Sequence, residues 1–198
     1  ISQFPEQFSA RLQITSHLVD PAMGYPVRIR EMDIVYDSAG GRAKVVIKQG
    51  LNAGKTFLRL YGSKQEYMIR EGEYPACRRS YLGEMMPLPE LPRTASFQDT
   101  DMLEGSNCEH WIQDDGPSRI HIFIDSATRV PRRLTEEVIR QGTAAVPLVT
   151  YDFLDVQIGP QQAQELFALP EQYLSREVCD LHVGGFPYLH LFHHYLRV

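Results

Sequence analysis

Between Phe8 and Arg70 the chain reverses at intervals too short to hold a helical crossover, and this constrains the fold more than any other feature of the sequence. Phe8, Ala10, Leu12 and Ile14 alternate with Ser9, Arg11, Gln13 and Thr15, the period-two pattern of a strand with one covered face. After the turn Asp20-Pro21-Ala22-Met23-Gly24, a second run over 27–36 carries Val27, Ile29, Met32, Ile34 and Tyr36. Asp37-Ser38-Ala39-Gly40-Gly41 then makes a hairpin loop into 43–48. Gly50 to Lys55 and Gly62-Ser63-Lys64 turn the chain twice more, into 56–61 and 65–70. Strands joined by such short loops pair antiparallel, so this half is a meander.

From 71 to 98 the character changes. Pro75, Pro87, Pro89 and Pro92, set among Met85, Met86, Leu88 and Leu91, forbid a regular element over most of the stretch. It reads as a crossing segment with a short helix over 76–82, its Met and Leu side chains either capping the core or forming an adaptable apolar lip. Strands resume at 108–113 and 119–125, where Ile120, Ile122 and Ile124 share one face and His121 and Phe123 the other, and again near 136–140. The stretch 146–173 then reads as a closing strand with a latch. Tyr151, Phe153, Leu154, Val156 and Ile158 give a strand whose phase slips between Phe153 and Leu154, predicting a bulge there. Gly159-Pro160 ends the strand, 161–167 can form two helical turns, and Pro170 forbids continuation.

The sum is a mainly β (α+β) fold, a curved antiparallel sheet or half-barrel of about nine strands wrapped over short helices. A single domain over 1–198 with a C-terminal tail from 180 is expected. An incompletely filled apolar concave face of such a sheet is a ligand cavity. Its expected lining is Met32, Ile34, Phe57, Leu58, Met68, Trp111, Ile122, Phe123, Tyr151 and Phe153, although strand parity leaves open which of each neighbouring pair faces inward. Leu166, Phe167 and Leu169 are expected to plug one end of it.

Composition excludes some classes. A net charge of -5, with basic doublets scattered at Arg28/Arg30, Arg78/Arg79 and Arg132/Arg133, is not a nucleic-acid footprint. No apolar run approaches the ~18 residues of a membrane span, leaving at most peripheral membrane contact. Ile1 is not an initiator Met, which fits the removal of a signal or pro-segment.

The candidate chemical motifs are all incomplete. Gly50-Leu51-Asn52-Ala53-Gly54-Lys55-Thr56 has three residues between its glycines where a phosphate-binding P-loop needs four, and it sits in a hairpin. His182, His190, His193 and His194 crowd the C-terminus, but only Cys179 could join them and no second ligand pair supports a zinc site. Cys108 has His110 two residues on without a third, orienting group. The carboxylate pairs Asp114/Asp115 and Glu136/Glu137 read as solvated. No enzyme, cofactor or metal is expected.

Several short motifs resemble the ependymin-related family and, more broadly, the LolA-like lipid carriers. They are Tyr36-Asp37-Ser38, a strand with Tyr67 running to Cys77-Arg78-Arg79, Leu166-Phe167-Ala168-Leu169-Pro170-Glu171-Gln172-Tyr173, and Cys179 followed by an aromatic tail over 186–195. Asn107-Cys108-Glu109-His110-Trp111 and Gly184-Gly185-Phe186-Pro187 are also similar to the non-catalytic N-terminal domain of some papain-like cysteine proteases. The resemblance implies a deep hydrophobic pocket, no catalytic residues, and a secreted protein or one of the lysosomal or endomembrane lumen. It further implies a Cys77–Cys179 disulfide that leaves Cys108 over. The function expected is therefore non-enzymatic binding of a lipid or other apolar small molecule. The alternative is a regulatory, targeting or protein-interaction domain with a protein partner or a homodimer.

Overall fold

The computed structural model describes residues 4–18, 27–87, 90–139, 142–159, 164–175 and 178–186. Among these residues there are twelve strands, and all lie in one sheet. The first six are β1 (Gln7–Ser16), β2 (Val27–Asp37), β3 (Arg42–Gly50), β4 (Lys55–Leu60), β5 (Gln65–Arg70) and β6 (Ala76–Tyr81). The rest are β7 (Ser96–Leu103), β8 (Ser106–Asp115), β9 (Ser118–Asp125), β10 (Pro131–Val138), β11 (Val146–Ile158) and β12 (Asp180–Leu181). The alternating sequence of β1 becomes a strand because Phe8, Ala10, Leu12 and Ile14 can all be buried on one face. Each large apolar side chain so removed from water contributes roughly 1.5–3 kcal/mol.

The spatial order is β12-β6-β5-β4-β3-β2-β1-β11-β10-β9-β8-β7. One meander walks from β1 out to β6, a second walks from β7 back to β11, and the two join along the antiparallel β1–β11 seam. The chain must therefore travel from one edge of the sheet to the other between β6 and β7. It does so across the inner face, where the Tyr36 hydroxyl donates 2.6 Å to the Pro87 carbonyl and Leu91 enters the core.

The fold class is the one expected: 59% strand and 4% helix, in one open, curved sheet that is antiparallel except at β12. Three strands are additional to those read from the sequence. β6 replaces the expected helix over 76–82, pairing β5 from Gln65↔Tyr81 to Arg70↔Ala76, with Cys77 and Ser80 buried on opposite faces and so no period-two signal. β7 is an edge strand exposed along almost its whole length, so nothing in it had to be apolar. β12 is two residues held against β6 beside the Cys77–Cys179 disulfide.

The bulge lies slightly beyond its expected place. The β1–β11 register slips where Ser9 faces Gln157 and Arg11 faces Leu154, with Asp155 at φ 50 and its carboxylate 2.8 Å from Arg11. The latch has a different destination. Phe167, Leu169 and Tyr173 pack not into an inner-face cavity but on the outer face, against Leu58, Tyr67, Ile69 and the disulfide. The Arg42 guanidinium stands 4.4 Å over the Phe167 ring, and Lys44 donates to the Leu166 carbonyl at 2.9 Å. The physical reason is that β4 and β5 carry adjacent apolar residues, Phe57-Leu58 and Tyr67-Met68-Ile69. Such strands need cover on both faces.

Candidate functional site

Met32, Ile34, Phe57, Met68, Ile122, Tyr151 and Phe153 come together in the buried inner-face cluster, with Trp111 packed at its margin. Leu58 and Phe123 are not among them. Leu58 belongs to the outer cluster under the latch, and the Phe123 ring stacks 4.5 Å from His110. In each case the adjacent residue, Phe57 or Ile122, takes the inner position that parity allows to only one of the two.

Among the described residues, the inner face is covered by chain outside the strands and helices. A strap, described over 82–87 and 90–95, contributes Leu91 and the half-buried Met86, and beyond β12 the chain returns over the edge to place Phe186 5.9 Å from the Phe57 ring. His182 stacks behind Phe186 at 4.9 Å. His190, His193 and His194 lie outside the described residues, and among those described no group of three or more His, Cys, Asp and Glu could hold a metal ion.

Strap and tail are tied to one buried ion pair that the sequence reading missed. Arg59 and Glu66, directly opposite on β4 and β5, meet at 3.1 Å and are each 1% exposed. Arg59 also pairs with Glu84 of the strap, while the Phe186 amide donates 2.9 Å to Glu66 Oε1. Ser80 adds a 2.7 Å bond to the Gly184 carbonyl. The signal was present: Arg59 and Glu66 flank the Gly62-Ser63-Lys64 turn at the same parity as Phe57 and Met68, where a charge needs a partner. Burial pushes the Tyr61 hydroxyl, beside this cluster, above its usual range, an effect the hydrogen bond from Arg59 partly opposes.

At the same end of the sheet, on the neighbouring β2–β3 hairpin, Asp37 is buried and accepts bonds from Gln7 (2.9 Å), the Gly40 amide (2.8 Å) and Arg42 (2.7 Å). Burial alone would raise its pKa, but these donors hold the carboxyl below the usual range. On the outer face of β7–β10 runs a row of polar rings. His110 Nδ1 lies 3.0 Å from Asp99, and His110 Nε2 lies 2.8 Å from His121 Nδ1. His121 Nε2 is 2.9 Å from Glu137, an ion-pair distance without the alignment of a hydrogen bond. His110 is thus engaged away from Cys108, which is fully buried and free, its thiol pushed up by that burial.

Fold and site together define an open curved sheet whose apolar inner face is closed by its own strap and tail. No family model matches the chain, and no curated protein matches it. Solved structures share the fold. One is an uncharacterised conserved protein from Thermus thermophilus, at TM-score 0.58 and 8% identity over 90% of each chain. Another is MucB in complex with MucA(peri), at TM-score 0.50 and 13% identity, where the likeness covers 83% of this chain and 54% of MucB.

Proposed function

We propose that this protein is a non-enzymatic binding protein that takes a lipid or other elongated apolar molecule on the inner face of the sheet. The observation that carries the proposal is the cover. Among the described residues, the apolar surface spanning β1–β5 and β8–β11 is closed not by a second sheet or by helices but by the strap and Phe186. Among the described residues the strap is tied by bonds of Leu82 to Lys64, Tyr36 to Pro87 and Arg59 to Glu84 rather than by a strand's full ladder, so its local opening costs less than loss of a strand. An apolar chain entering there exchanges one set of apolar contacts for another. The strap then acts as the face's own substitute for a ligand, and the ependymin-related and LolA-like resemblance likewise implies a hydrophobic pocket on this face. A disulfide across the molecule suits an oxidising, extracytoplasmic compartment.

Trp111, the single tryptophan, packs at the margin of this face and serves as the reporter. Titrating solvent-extracted protein with oleyl alcohol is expected to change Trp111 emission saturably and to add one ligand mass in native spectra. Absence of any uptake would overturn the reading. A second reading is favoured by β7, which among the described residues is hydrogen-bonded on one side only and is exposed along almost its whole length. An extended segment of a protein partner could add there as a further strand.

A further inference from the structure

We infer that the apolar ligand carries an anionic head group, a carboxylate or a phosphate, held by Lys55, Arg70 and Arg78 at one end of the inner face. This inference rests on the apolar-binding reading above. A pocket of about 100 Å³ is lined by Lys55, Met68, Arg70, Ala76 and Arg78. Met68, part of the inner-face core, lines it, so the pocket adjoins the apolar surface itself. Strand register puts the three cations on that face. Lys55 is two residues from Phe57, Arg70 two from Met68, and Arg78 stands directly opposite Met68.

The charges themselves point to an anion. Lys55 and Arg70 are direct cross-strand partners, a like-charge juxtaposition that is unfavourable unless something negative lies between. Elsewhere on the sheet, facing positions pair arginine with a carboxylate: Arg59 with Glu66, Arg119 with Glu137, Arg133 with Asp152. Here the acceptors are neutral, the Asn52 side-chain oxygen for Lys55 at 2.5 Å and the Tyr74 carbonyl for Arg70 at 2.6 Å. Asp180 stands opposite Arg78 in the β12–β6 register, yet among the described residues no carboxylate forms an ion pair with any of the three. The Gly50–Lys55 turn, too short for a nucleotide loop, finds a use: Gly50, at φ +90, packs against the β2 backbone and delivers Lys55 to the first position of β4.

The test compares oleate, oleyl alcohol and inorganic phosphate on wild-type protein and on the triple variant Lys55→Gln/Arg70→Gln/Arg78→Gln, by calorimetry at low salt. Oleate is expected to bind wild type about tenfold or more tighter than oleyl alcohol, as charge-assisted bonds predict. The preference should shrink with added salt and vanish in the triple variant, whose affinity for oleyl alcohol stays unchanged. The single Arg78→Gln variant, at an exposed position, should lose part of the preference should the triple variant fold poorly. Equal binding of oleate and oleyl alcohol by wild type overturns the head-group inference and leaves apolar binding standing. Binding of phosphate as tight as that of oleate also overturns it, by making the pocket a site for free anions. Failure of both oleyl compounds to bind removes the apolar-binding reading and this inference with it.

Discussion

Replacing Cys77 and Cys179 together by alanine removes a cross-link that spans 102 residues, and the size of the effect follows from that span. In the chain-entropy model a loop of about 100 residues withdraws from the unfolded ensemble an entropy worth about 4.7 kcal/mol at room temperature. For a chain of this length, where 1 kcal/mol shifts the midpoint by about 2–4 °C, that is a fall in Tm of about 10–20 °C. One process lowers the figure. Among the described residues, those beyond β11 contact the rest mainly through the latch, β12 and Phe186, and these can undock from a sheet that is still folded. Urea unfolding followed both by far-ultraviolet circular dichroism and by Trp111 fluorescence separates the cases. Trp111 lies on β8, at the far end of the strand order from the bridge. The expectation is that both midpoints fall together. A Trp111 midpoint unchanged by the substitutions would refute the loop-entropy reasoning and make the tail a separate unfolding unit.

Arg59→Ala leaves Glu66 and Glu84 without their shared cation and should destabilise the fold by about 3–5 kcal/mol, measured by chemical denaturation. Asp37 has its folded pKa held below the unfolded value, so its stabilisation is present above about pH 4 and is lost as pH falls through the folded pKa. Asp37→Asn should therefore cost stability at neutral pH, with a gap from wild type that narrows on acidification; a constant gap would contradict the assignment. Cys108, the free buried thiol, should resist alkylation in the native protein and label fully on unfolding. Gly50→Ala sets a Cβ 2.2 Å from the Ile29 carbonyl at a positive φ, so it should lower Tm and weaken oleate binding by displacing Lys55.

Where a strand had one covered face the sequence was easily read: Phe8 to Ile14 and Ile120 to Ile124 announced β1 and β9 with the correct parity. Legibility failed where burial was two-sided or absent. β6 buries Cys77 outward and Ser80 inward, each through a partner more than a hundred residues away, and β7 buries almost nothing. The latch was visible as a unit, but its destination was not. Choosing between inner and outer faces required knowing that the strap already lay on the inner one. For the candidate site the same limit applied in miniature. Phe57 or Leu58, and Ile122 or Phe123, are chosen by register alone, and register is a property of the paired strands. The basic residues at 55, 70 and 78 read as scattered because only β4–β5–β6 pairing brings them together.

The central claim, that the inner face accepts an apolar ligand by displacing the protein's own cover, is tested most directly by amide hydrogen exchange with and without saturating oleyl alcohol. Binding is expected to speed exchange in the 82–95 strap and at Phe186, with β1–β5 and β8–β11 unchanged or slower. Ligand uptake with no change in strap exchange would contradict it.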